Sequence, residues 1–306
     1  MGKVAFIFPG QGAQYSGMGW ELFENSKAAK AVFDCAEALR PGTQEQCFAG
    51  SAEELSITEN TQPCLFCVDV AAAMAYREAG GKADMLAGFS LGELAALTFS
   101  GAVSVEDGFR LVCRRASFMQ KETKKVDASM AAVLRMEDDE VTALCREFEH
   151  VYPVNFNAPG QIVVSGEKNE LETFKLRVKE KNGKILPVKV GGGFHSPFMA
   201  DAANEFSGVL SKASFAAPSM PLYSNVTAQP YSEDIKGLLA KQICSPVLWR
   251  KAVLNMIDAG ADTFIEMGPG KVLSGLVSRI SENVRVFNVE DIKSLRKTIS
   301  EVEAGA

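Results

Sequence analysis

Histidine is scarce in this chain. Of 306 residues only His150 and His195 carry an imidazole, so chemistry that needs such a base has two places to find it. Positive charge is also in deficit: 32 Lys and Arg face 38 Asp and Glu, giving a formal net charge of −6. A nucleic-acid binder needs a basic face to neutralise phosphates, so the charge argues against that class. Long apolar runs are missing too. The N-terminal VAFIF stops after five residues at Pro9-Gly10, too short for a signal core or a membrane span. The seven cysteines are an odd number, and the Cys64/Cys67 CxxC has neither a second pair nor a nearby histidine to make a zinc site. These features imply free thiols in a reducing cytoplasm, with Cys64 and Cys67 acting as small buried hydrophobes.

The chain is otherwise of ordinary globular composition, 47% hydrophobic and 23% charged. KVAFIFPGQG reads as a buried parallel strand that ends in a turn. Helical patterns follow around 20–40 and 61–79, the second opening after Pro63. ADMLAG is a short strand, ELAALTFSG a helix closed by Gly101, and VEDGFRLVCRRASFMQKE a helix with Glu106 and Asp107 in its first turn. Alternation of this kind predicts an α/β layer fold. Residues 125–191 follow a different order: strand SMAAVLRM, helix DDEVTALCREFE, strands VYPVNFN and QIVVSGE, helix KNELETFKLRVKEKNG and strand KILPVKV. That βαββαβ order is a split βαβ unit, which closes on itself and is read as a small domain inserted into a larger one. The larger pattern then resumes with a helix from 197, a strand near PLYSN, helices around 233–259 and the strand-to-turn ADTFIEMGPG.

LAGFSLGEL places Ser90 between Gly88 and Gly92, after a strand and before a helix, which is the nucleophile-elbow pattern. The turn is so sharp that side chains at the two glycines would clash. The serine then projects at a helix N-terminus, where free N–H groups can hold an oxyanion. The alternative is a glycine-lined turn with a helix-capping serine. An activated serine needs a base. His150 ends the charged helix REFEH and reads as a solvated surface group, whereas His195 lies in the glycine-rich loop GGGFHSPFM. If either is the base, it is His195. Arg115 stands out on its helix: Asp107, Arg110, Arg114, Ser117 and Lys121 form a polar face, while Leu111, Val112, Phe118 and Met119 surround Arg115 on the other. A guanidinium on an apolar stripe calls for an anion, either an internal carboxylate or the carboxylate of a substrate. GQGAQYSGMG fails as a phosphate loop, since Tyr15 stands where a dinucleotide fingerprint needs glycine and no Gly-Lys-Ser/Thr follows.

PGQGAQ, GFSLGE, RASFMQ, NAPGQ, GFHSPFM, QICSPVLW and EMGPGKVL occur in the order found in malonyl-CoA:acyl-carrier-protein transacylases of bacterial fatty-acid synthesis, which this chain resembles from residue 9 to residue 273. The resemblance implies an α/β-hydrolase-like large domain of parallel sheet, residues 1–124 and 192–306, with a ferredoxin-like insert at 125–191. It implies transfer of malonyl from malonyl-CoA to the phosphopantetheine thiol of acyl carrier protein through an acyl-serine, with no cofactor and no metal. Ser90 and His195 would be the catalytic pair, and the main-chain carbonyl of Gln242 would orient the histidine. The N–H groups of Gln11 and Leu91 would form the oxyanion hole, and Arg115 would grip the malonyl carboxylate.

Asn157, in FNAPGQ, is either a substrate contact or simply a good turn former. Phe194 matches the residue of malonyl-selective relatives, where a ring would crowd an α-methyl branch. The family usually has histidine where this chain has Phe89; activity is expected to survive with altered rate or pH dependence. Lys175 to Lys189 holds six basic residues against Glu180 alone. It reads as a docking face for an acidic carrier or as a solvated helix face. Two rival functions share parts of this pattern: a thioesterase-type serine hydrolase, and a non-enzymatic carrier-binding scaffold.

Overall fold

A computed structural model describes residues 2–188 and 190–304; Lys189, the end of the basic run, lies outside the described residues. Two sheets form the frame. The first is a five-stranded parallel sheet of β1 (Lys3–Phe8), β2 (Met85–Gly88), β7 (Leu222–Tyr223), β8 (Ala261–Met267) and β9 (Arg285–Val289), in the order β7-β2-β1-β8-β9. From Val4 to Phe8 every residue of β1 is buried. A continuous apolar strand covered on both faces belongs at the centre of such a sheet. The second sheet is antiparallel and comprises β3 (Ala128–Leu134), β4 (Val151–Ala158), β5 (Gln161–Glu167) and β6 (Lys184–Val188), in the order β4-β5-β3-β6. Helices Asp138–Cys145 and Lys168–Glu180 complete its βαββαβ element order, and their apolar residues share a separate core with it.

The two sheets meet through backbone. Phe156 N–H donates to Val247 O at 2.9 Å and Val247 N–H to Val154 O at 2.8 Å, so β4 abuts the segment that leads into helix Trp249–Asp258. On the parallel sheet, helix Thr58–Glu78 is buried along most of its length and packs against helices Lys27–Leu39 and Val105–Glu122. Cys64 and Cys67 are free and fully buried within it.

Several boundaries differ from the sequence reading. The helix expected to open after Pro63 begins at Thr58 and carries the proline in its second turn. The helical pattern of 20–40 breaks at Ser26, whose hydroxyl caps Lys27–Leu39 by accepting from Ala29 N–H at 3.1 Å. The DDEVTALCREFE helix stops at Cys145, and the helix expected from 197 starts as a 3-10 turn at Pro197–Met199 before Ala200–Leu210. Helices Thr43–Ala49, Val272–Ile280 and Ile292–Ala304 and strand β9 went unread. No helix among the described residues is long and apolar enough to cross a membrane.

Candidate active site

Strand β2 runs straight into a turn at Phe89–Leu91 and then into helix Gly92–Phe99. Ser90 sits in that turn with φ 56°, a left-handed conformation that a non-glycine residue holds only when its surroundings impose it. The surroundings are tight. A Cβ on Gly88 would lie 2.0 Å from Gly92 C, and one on Gly92 would lie 2.2 Å from Phe8 O. Phe89 N–H donates to Phe8 O at 2.8 Å, tying the elbow to the end of β1. Asn225 completes the clamp: its Oδ1 accepts from Ser90 N–H at 2.7 Å and its Nδ2 donates to Gly88 O at 2.6 Å.

His195 also has positive φ, at 60°, and is buried in the loop that returns from the antiparallel sheet. Its Nε2 lies 2.8 Å from Ser90 Oγ and its Nδ1 2.9 Å from Gln242 O. The carbonyl can only accept, so Nδ1 carries the proton and Nε2 presents a lone pair to the hydroxyl. Burial pushes the imidazole pKa down to about 4; the nearby Arg115 charge lowers it too, while the carbonyls of Gln242 and Ser245 oppose the shift. At neutral pH the ring is therefore an uncharged acceptor. His150 lies elsewhere, its Nδ1 3.2 Å from Glu170 Oε1 and its ring stacked on Phe198.

Arg115 is buried and meets no carboxylate at salt-bridge distance among the described residues. Instead its Nη1 donates to Gln62 Oε1 at 2.7 Å, and its Nη2 donates to Gln242 Oε1 at 2.8 Å and to Ser90 Oγ at 3.1 Å. Two neutral side chains thus aim a cation at the serine oxygen. Burial lowers its pKa to about 10, partly offset by the charge of Glu93, so it stays protonated at neutral pH. Glu93 is itself fully buried. Desolvation pushes its pKa up to about 7 against the pull of the Asn225 N–H, the Tyr231 hydroxyl, the Gln242 amide and Arg115.

Gln11 follows β1, and Leu91 precedes the elbow helix. Neither main-chain N–H finds an acceptor among the described residues. Next to them lies a cleft of about 240 Å³, lined on one side by Gln11 and Phe89 and on the other by Asn155, Asn157 and Val163 of the antiparallel sheet. Asn155 and Asn157 are both buried, and the Oδ1 of each lacks a partner. Phe89 rests on Trp249 at 5.5 Å between ring centroids. Phe194 is buried in the main core beside the histidine.

The structure therefore brings Ser90, His195, Arg115 and Gln242 together, and sets Gln11 and Asn157 along one cleft. Sequence reasoning missed Gln62, Asn225, Tyr231 and the contacts of Glu93. Only Glu93 had a signal, its place in GFSLGE.

The acyl transferase domain family matches residues 5–301. A malonyl CoA-acyl carrier protein transacylase of Bacillus subtilis is 39% identical, the match covering 98% of this chain and 97% of that protein. One from Staphylococcus aureus is 35% identical over 97% of this chain and 98% of that protein. Among solved structures, the malonyl CoA-acyl carrier protein transacylase of Clostridium perfringens superposes with a TM-score of 0.95 at 40% identity, covering 99% of this chain and 98% of that one. A malonyl-transacylase solved in complex with a type II polyketide acyl-carrier protein superposes at 0.94 with 32% identity, covering 98% and 99% of the two chains.

Proposed function

This chain belongs to the acyl transferase domain family, and from that premise we propose that it moves a malonyl group from malonyl-CoA to the phosphopantetheine thiol of an acyl carrier protein. The chemistry is a two-step exchange of one acyl group. Ser90 Oγ gives its proton to His195 Nε2 as it attacks the thioester carbonyl. The carbon–sulfur bond breaks, and the coenzyme A sulfur leaves with the proton returned by His195. In the second half His195 takes the proton of the carrier thiol, the sulfur attacks the acyl-serine, and Ser90 recovers its proton. A histidine that is neutral at rest suits both halves.

The free N–H groups of Gln11 and Leu91 are the oxyanion donors in this reading. Fixed backbone dipoles stabilise developing charge without reorganising. Gln242 holds the tautomer through its carbonyl, a weaker support for imidazolium than a carboxylate. Thioester exchange tolerates that, because a thiolate leaves readily. Arg115 is the specificity residue. A malonyl ester on Ser90 carries its free carboxylate just beyond the carbonyl carbon, and a guanidinium nitrogen 3.1 Å from Oγ is within reach of it. Asn157 holds the pantetheine arm in the cleft, and Phe194 backs the acyl pocket.

The parallel-sheet body, 1–124 and 192–306, is read as α/β-hydrolase-like and the 125–191 insert as ferredoxin-like, a reading supported by the strand orders and the elbow. The exchange requires no cofactor and fits a cytoplasmic enzyme. In the basic run, Lys175 pairs with Glu172, and Arg177 with Glu147 and Glu180. Exposed Lys179, Lys181 and Lys184 are then left to meet an acidic carrier.

The observation that carries the proposal is one oxygen, Ser90 Oγ, set between an imidazole lone pair and a buried guanidinium. Intact-mass measurement after brief exposure to malonyl-CoA should show one added malonyl group, absent from Ser90→Ala. An unmodified wild-type chain under turnover conditions would remove the proposal.

A further inference from the structure

One buried carboxylate touches two residues that hold the elbow and the histidine, Asn225 and Gln242, without reaching the serine oxygen. Glu93 Oε1 accepts from Asn225 N–H at 2.9 Å and from the Tyr231 hydroxyl at 2.8 Å, and its Oε2 accepts from Gln242 Nε2. Asn225 is the residue that grips Ser90 N–H and Gly88 O. Gln242 offers its carbonyl to His195, its Oε1 to Arg115, and its Nε2 to Ser90 O at 2.7 Å as well as to Glu93. We propose that Glu93 is a positioning residue that fixes the amide orientation of Gln242 and so aims Arg115 at the acyl group; this rests on the malonyl-transfer reading above.

What each group can donate decides the orientation of the amide. Ser90 O and an ionised Glu93 only accept, so the amide end of Gln242 that faces them both must be its NH₂. The other end, Oε1, is then turned towards Arg115 Nη2, and the second hydrogen of the NH₂ is left for Ser90 O. All three side-chain contacts agree only in that orientation. Reversing the amide would set NH₂ against a guanidinium and an oxygen against both Ser90 O and the carboxylate. Each clash would leave a buried polar group unpaired. The charge of Glu93 also offsets part of the burial cost of Arg115, which has no direct ion pair. Glu93 is therefore what makes two neutral glutamines an adequate seat for a cation.

Glu93→Gln is close to isosteric and tests this. If the introduced carbonyl keeps Asn225 and Tyr231, the introduced NH₂ meets Gln242 NH₂, donor against donor. Relief comes by turning the Gln242 amide over, which costs Arg115 its acceptor. The expected result is a fall in kcat/KM for malonyl-CoA at least about tenfold greater than the fall for acetyl-CoA, with a melting temperature close to wild type. Glu93→Asp keeps the acceptor character and should retain more of the malonyl preference than Glu93→Gln. Equal losses for the two thioesters, or a wild-type ratio with a lowered melting temperature, would overturn the proposal by showing a purely structural carboxylate. Intact mass of the wild-type chain separates the two layers. A malonyl adduct together with an unchanged ratio in Glu93→Gln removes only the role of Glu93, whereas no adduct removes the reading beneath it.

Discussion

Two groups of buried polar side chains, one around Ser90 and one along the antiparallel sheet, are satisfied to different degrees. Behind the parallel sheet, Ser90, Asn225, Glu93, Gln242, Arg115 and His195 form one network in which each side chain has its partners. On the antiparallel side, Asn155 and Asn157 carry unpartnered oxygens into the cleft. A satisfied network holds reacting groups rigidly, since moving any member strands another. An unsatisfied acceptor is costly alone and gains when a donor arrives. On the reading proposed above, the contrast divides the labour: one half fixes the chemistry, and the other receives a ligand with N–H groups to offer.

That division can be broken at several points. Taking the base away is the most drastic: His195→Ala should lower kcat/KM for malonyl transfer by about 10³-fold or more, as loss of a general base does elsewhere, measured by carrier acylation. A loss under tenfold would place the base elsewhere.

A second test is thermodynamic. The folded pKa of His195, about 4, lies below its ordinary value of 6.5, so between those values the unfolded chain binds the extra proton and stability falls with acidification. The contribution is about 3 kcal/mol, present above pH 6.5 and gone by pH 4. The melting temperature of wild type should therefore fall relative to that of His195→Gln as the pH drops through that window. Parallel curves would mean that the ring titrates normally.

Third, Arg115→Ala should cost malonyl transfer about 100-fold and acetyl transfer far less, because only malonyl carries the carboxylate. Matched losses would make the arginine a structural cation. The smallest effect belongs to the cleft. Asn157→Ala breaks no hydrogen bond of the amide oxygen within the fold, so stability should hold while KM rises by about threefold to tenfold. A lowered melting temperature with unchanged KM would move Asn157 to the structural side of the contrast.

Legibility from sequence follows the same line. Strands such as KVAFIF and the elbow LAGFSLGEL are written locally, in apolar runs and in glycines that only a sharp turn requires. The candidate base narrows to His195 because the chain has so few imidazoles, and Arg115 stands out by its place on an apolar helix face. The rest of the network had no local mark. Asn225 reaches Ser90 across 135 positions and Gln62 reaches Arg115 across 53. A buried glutamine or asparagine in sequence looks like one on the surface until the fold closes around it. The final elements were lost for a different reason. Strand β9, RVFNV, is half-buried for most of its length and lies at the edge of the sheet, so neither continuous hydrophobicity nor clear alternation announces it.

A serine hydroxyl made reactive by a neutral imidazole should retain the acyl group until a thiol arrives. Stopped-flow detection of free coenzyme A, with malonyl-CoA and no carrier present, tests it directly. The expected trace is a burst of one equivalent per chain followed by near-arrest, with the burst absent in His195→Ala. Continuous release at the rate seen with carrier would contradict it, since water would then be the true acceptor.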